Sequence, residues 1–192
     1  MWWAALLNNL VALLGTAGGG AGAGAYESIA TANGDGSSGL ITFSSIPSDF
    51  KHLQLRFIGK DTYSGGAGPS NMQIRMNSDS TEANYYYHYL RGNGSTASAS
   101  AGNSPSFLAS VSTSSDNADI FGVGVIDILD YGNTSKNKVI RALSGGDANG
   151  SGLIVLYSGS RNLTDAITSI TIFPTGAGDF REHSSFALYG VK

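Results

Sequence analysis

The side chains able to do chemistry are few and widely spaced. Three histidines, His52, His88 and His183, are the chain's full set of imidazoles. A shared metal or catalytic role needs them to converge in space. Each falls on or beside an exposed strand position, so surface imidazoles are the expected outcome. The stretch NGDGSSG (33–39) offers oxygens at alternate positions, Asn33, Asp35 and Ser37, as a calcium loop does. Its twelfth position is Ser44 rather than a bidentate glutamate, and a tight β-turn accounts for it better. Asp127 and Asp130, then Asp179 and Glu182, are closely spaced carboxylates. Glycoside hydrolysis needs such a pair at a defined separation across a cleft, which nothing in the spacing supplies. No phosphate-binding loop, HExxH or GxSxG pattern occurs. The tract GGGAGAGA has dinucleotide-loop glycines without the flanking βαβ unit. The chain is therefore expected to be non-enzymatic and to carry no cofactor or metal.

Recognition chemistry is better represented. In NYYYHYL (84–90), Tyr85, Tyr87 and Tyr89 share one face of a strand, and Tyr86 and His88 share the other. One set is expected inside and the other outside. An exposed aromatic offers a flat apolar body and a polar tip to a sugar ring or a protein. Tyr86 and His88, with Arg91 and Asn93 nearby, are the candidate ligand or interface surface. Plain cross-strand packing is the competing account.

The elements that must position these groups are strands. Leu53, Leu55 and Phe57 alternate with His52, Gln54 and Arg56, and Met72, Ile74 and Met76 with Gln73 and Arg75. Further apolar blocks recur at 39–46, 106–111, 120–131, 138–143, 152–159, 166–173 and 184–192, separated by Gly, Asn, Asp and Ser turns. The 120–131 block slips phase near Val125-Ile126, which predicts a β-bulge. About ten short strands without an internal helix predict an all-β domain over 26–192. The expected architecture is a two-sheet antiparallel β-sandwich of the jelly-roll type. Composition agrees, with 27 glycines, 4 prolines, 41% hydrophobic and 13% charged residues among 192. The net charge is −3 with no basic cluster, which argues against a nucleic-acid partner. There is no cysteine, so the fold needs no disulfide.

The N-terminal stretch has its own logic. Trp3, Leu7, Leu10 and Leu14 follow four-three-four spacing, and Trp2, Leu6 and Leu13 widen that face. This predicts a short apolar anchor helix over 1–14 and a Gly/Ala linker over 15–25. Such a helix is stable only when buried against copies of itself or a host surface, or folded back on its own domain. A cleaved leader fits less well, because a basic start is missing and Asn8-Asn9 interrupt the run. The apolar run ends at Leu14, short of the ~20 residues that span a bilayer. No membrane span is expected.

Six blocks carry a wider likeness: YESIATANGDG, ITFSSIPSDFKHLQLRFIGK, IRMNSDSTEANYYYHYLRGNGS, GVIDILDYGNTSKNKVIRAL, AITSITIFPTGAGDF and FALYGVK. From Tyr26 to Lys192 they resemble virion structural proteins of tailed phages, of the kind found in phages of marine bacteria and cyanobacteria. The resemblance carries no catalytic residue. It implies a virion protein assembled in the bacterial cytoplasm, partnered by other virion proteins and projecting as a homotrimer. A tail-fibre or adhesin component is the preferred form. A capsid decoration, as cement or head fibre, and a module binding host surface glycan are the alternatives.

Overall fold

The computed structural model describes residues 24–64, 70–104, 106–111, 119–148, 150–176 and 178–192. The anchor helix over 1–14, with Trp2, Trp3, Leu6, Leu7, Leu10, Leu13 and Leu14, and most of the 15–25 linker lie outside the described residues. The described chain is all-β apart from one 3-10 turn at Glu82–Asn84.

Among the described residues twelve strands form: β1 (Tyr26–Asn33), β2 (Ile41–Phe43), β3 (His52–Gly59), β4 (Ser70–Met76), β5 (Tyr85–Gly92) and β6 (Ala97–Asn103), then β7 (Phe107–Val111), β8 (Gly122–Leu129), β9 (Lys138–Asp147), β10 (Gly152–Arg161), β11 (Ile170–Pro174) and β12 (Ser185–Val191). They make two antiparallel sheets. The larger has the order β1-β12-β3-β8-β9-β10-β5-β6, and the smaller β2-β11-β4-β7. The expected bulge at Val125-Ile126 is absent, because β8 keeps unbroken register with both β3 and β9. The register shift lies instead in β1, between Ser28 and Ala30.

The two sheets face each other across one core. Leu53, Leu55, Ile126, Ile128, Phe186 and Leu188 enter it from the larger sheet, and Met72, Ile74, Met76, Phe107, Ile170 and Ile172 from the smaller. Burying each such side chain stabilises the fold by roughly 1.5–3 kcal/mol. Close approach is built in at Gly159 of β10, where a Cβ would lie 2.5 Å from the Phe107 ring. The Phe107 ring in turn meets Tyr85 edge-on at 5.0 Å.

One end of the core is closed by charge. Arg161 is 2% exposed; its Nε donates to Asp79 at 2.9 Å and its Nη1 to Asp165 at 2.8 Å. Asn77 Nδ2 donates to the other Asp165 oxygen at 2.6 Å, and Asn84 Nδ2 to Asp79 at 3.0 Å. Burial pushes both carboxyls up, but the Thr81 amide on Asp79 and these bonds outweigh it and hold them below the usual range. Fully buried Lys138 donates to the carbonyls of Asn133, Lys136 and Thr164. Buried charge is tolerated here because every charge has hydrogen-bonded partners.

Candidate functional site

The outer face of the eight-stranded sheet, turned away from the core, is not the polar surface that strand alternation usually leaves. Its residues lie in cross-strand rows fixed by the register. One row holds Leu90 of β5, Leu156 of β10, Leu143 of β9 and Val125 of β8. The next holds Gly92, Ile154, Gly145, Val123 and Ile58. Ile154 is 61% exposed and Val123 56%. Two adjacent rows of apolar side chains thus stand in solvent.

Gly145 opens a hole in this surface. A Cβ there would lie 2.2 Å from the Leu153 carbonyl oxygen, so only glycine fits. A hollow of about 510 Å3 borders Gly145, lined by Val123, Val125, Leu143 and Ile154 of this face and by Phe57, Gly124, Ser144 and Leu153, whose positions belong to the other face. A second hollow of about 520 Å3 lies between β6, β5 and β10, over Ala99, Ala101 and Ser158.

A polar row borders the apolar ones: His88, Ser158, Arg141, Asp127 and Gln54. Arg141 Nη2 donates to Asp127 at 2.8 Å, Gln54 Nε2 to the other oxygen at 2.7 Å, and Arg56 Nε to Gln54 Oε1 at 2.6 Å. The Arg56 guanidinium lies over the rings of Tyr26 at 4.9 Å and Tyr189 at 5.1 Å. Partial burial raises the Asp127 carboxyl, but Gln54 and Arg141 hold it below its ordinary value. At the strand ends Asp130 is held at about 2 by hydrogen bonds from Lys136 and Lys51. Asp127 and Asp130 are thus tied into separate cation networks rather than facing each other across a cleft.

The four residues singled out from NYYYHYL and its flank do not form one surface. Tyr86, 44% exposed, and His88 stand on the outer face, opposite Ser160 and Ser158 of β10. Arg91 belongs to the opposite face of β5, where its guanidinium lies 5.5 Å from the Tyr89 ring centre and its Nε donates to Ser98. Asn93 sits in the β5–β6 turn, its Oδ1 accepting from the amides of Ser95 and Thr96. Arg91 and Asn93 line a separate hollow of about 390 Å3 with Thr96, Ser98 and Leu153. Inward-facing Tyr85 is fully buried, while Tyr87 and Tyr89 stack with ring centres 6.2 Å apart.

The remaining candidates take structural positions. His52 Nδ1 accepts the Asp130 amide at 2.9 Å, and His183 lies in a turn with φ of 72°. Asp35 Oδ1 accepts the amides of Ser37 and Ser38, making NGDGSSG a side-chain-closed turn. Among the described residues no three His, Asp or Glu side chains converge as a metal site. No helix there is long and apolar enough to cross a membrane.

Sequence reading missed the outer face, and the signal was present. Doublets such as Val125-Ile126, Val139-Ile140 and Ala142-Leu143, and the run Leu153–Leu156, mark strands apolar on both sides. Compared with protein-family models, curated proteins and solved structures, the chain finds no match.

Proposed function

We propose that the chain is a non-enzymatic structural protein of a tailed-phage particle, a tail-fibre or adhesin component whose segment 1–14 anchors a projecting jelly-roll β-sandwich. The observation that carries the reading is the exposed apolar outer face. A contiguous patch of this kind on a folded domain marks a contact surface, for protein, membrane or ligand, and assembly into a particle supplies the protein. The blocks from Tyr26 to Lys192 that resemble virion proteins supply the setting.

Strand order supports the jelly roll. With β5, β6, β9 and β10 set aside, the larger sheet reads β1-β12-β3-β8 and the smaller β2-β11-β4-β7. Each successive strand of those eight changes sheet except from β4 to β7, which pair with each other, and their six pairings are those of two interlocked Greek keys. The β9–β10 and β5–β6 pairs then read as insertions that widen one sheet and enlarge its outer face.

Particles purified through a density gradient test the function. Peptides of this chain should be recovered by mass spectrometry, and antibody against the Lys192 end should label the tail. Particles that lack the chain overturn the virion reading; label on the head moves it to capsid decoration.

A glycan-binding role is the second reading, favoured by the hollow where Arg91, Asn93, Thr96 and Ser98 gather beside the Tyr89 ring. Titration with host polysaccharide should show binding that Arg91→Ala weakens at least fivefold. Equal binding by both proteins removes this site.

A further inference from the structure

The rows of the outer face have a property that a single copy does not use: they are complementary to themselves. Place a two-fold axis parallel to the strands, midway between β9 and β10. It sets β9 of one copy over β10 of the other, and β8 over β5. Register alone then determines which residues meet, twice over, as an isologous contact requires.

Large side chains meet small ones. Ile154 is set over Gly145 of the second copy, the position where the fold excludes a side chain. Arg141 is set over Ser158 of the second copy, at the rim of the hollow formed by Ala99 and Ala101. Apolar residues meet apolar ones, Leu143 over Leu156 of the second copy and Val125 over Leu90 of the second copy. In the polar row Asp127 is set over His88 of the second copy, a carboxylate beside an imidazole.

We propose that this face is the interface between two copies of the chain, packed by that two-fold. The proposal rests on reading the outer face as a contact surface, and it names the occupant. Size agrees. Six strands about 4.8 Å apart and four rows about 7 Å apart, the fourth being Tyr86, Ser160, Val139 and Leu129 beyond the polar row, cover roughly 25 by 25 Å. That is on the order of 600 Å2 in projection, close to the ~800 Å2 one partner contributes to a standard interface. Every row pairs acceptably, so no like charges are forced together. The pairing is two-fold, so a three-fold assembly of the kind expected from particle architecture would need a different surface.

Cross-linking reads the register directly, because the chain has no cysteine of its own. Copies carrying Leu90→Cys are co-expressed with differently tagged copies carrying Val125→Cys, and a short bismaleimide is added. The expected result is a covalent dimer bearing both tags, at least fivefold more abundant than in either variant alone. A mixture that cross-links no better than the single variants overturns the proposal. Sedimentation equilibrium of the full chain should give a two-copy mass, and Leu156→Lys should weaken it at least tenfold with an unchanged far-ultraviolet spectrum. A one-copy mass for the unsubstituted chain overturns the proposal, and so does a three-copy mass that survives Leu156→Lys. Two-copy association by a chain missing from purified particles overturns the virion reading and leaves the interface standing. A chain found in particles but single in solution does the reverse.

Discussion

The eight-stranded sheet has two apolar faces with different fates. Its inner face buries Leu53, Leu55, Ile126, Ile128, Phe186 and Leu188 beneath the smaller sheet. Its outer face leaves Leu90, Leu143, Ile154 and Leu156 in solvent at comparable density. Each face also carries an arginine bound to aspartate: Arg161 is sealed between Asp79 and Asp165, whereas the Arg141 side chain beside Asp127 is 69% exposed. The difference is one of covering, not of composition. The smaller sheet is the lid of one face, and among the described residues the other face has no such lid.

Substitutions can break that comparison. Phe186→Ala removes a fully buried ring that packs on Phe57 and Phe180. It should cost about 3–5 kcal/mol in urea unfolding. Leu143→Ala on the outer face should cost no more than about 0.5 kcal/mol when the protein is dilute enough for copies to separate. Equal costs would mean that the outer face is already covered within a single copy.

The two arginines give the next largest contrast. Arg161→Ala strands two carboxylates at the closed end of the core and should cost about 3 kcal/mol, the lower part of the range for breaking a buried pair, because Asp165 is 46% exposed. Arg141→Ala should change stability by less than about 0.5 kcal/mol. A double cycle against Asp79→Asn and Asp127→Asn would show coupling at the first site and little at the second.

Acid should sharpen the same contrast more gently. Asp79, Asp127, Asp130 and Asp165 all have carboxyls below the ordinary value of 3.8 in the folded chain. A lowered folded-state pKa contributes stability that is fully present above the unfolded value and lost as pH falls through the folded one. The urea midpoint should therefore hold steady down to about pH 5. It should then fall from pH 4 towards the value of about 2 that Lys136 and Lys51 impose on Asp130. A midpoint flat to pH 2 would mean these bonds do not form in solution.

The smallest effect is also the most specific. Leu143→Ser should leave the dilute thermal midpoint within a degree or two of the parent. It should also abolish any rise of that midpoint with protein concentration, since linkage to pairing depends on the partner's presence. A parent midpoint that does not rise with concentration would count against pairing.

Much of the inner architecture was legible from alternation. The period-two runs at Leu53–Phe57, Met72–Met76 and Tyr85–Tyr89 place the core-facing residues correctly, because each has polar neighbours on the other side. The same logic failed at Val125-Ile126, where two adjacent apolar residues read as a slipped phase. Both faces of β8 are apolar there, so alternation carries no phase information. Strand order was out of reach, since antiparallel partners such as β1 and β12 are separated by most of the chain. The sealed Arg161 and Lys138 were equally hidden: charge in a sequence looks solvated until its partners are known. Tyr86 and Arg91 were grouped by nearness along the chain, but an odd spacing puts them on opposite faces of one strand.

The edge strand β6 has a consequence for how the molecule moves. Its sequence, ASASAGN, brings almost no side-chain volume to either face, and among the described residues it pairs with β5 alone. Opening it exposes little apolar area, so its amides should exchange with solvent through local fluctuations. Amides of β3 and β8, between two neighbours and over the core, should exchange only when the domain unfolds as a whole. Protection then declines from the middle of the sheet towards β6, and the Ala97–Asn103 rim breathes while the centre holds still.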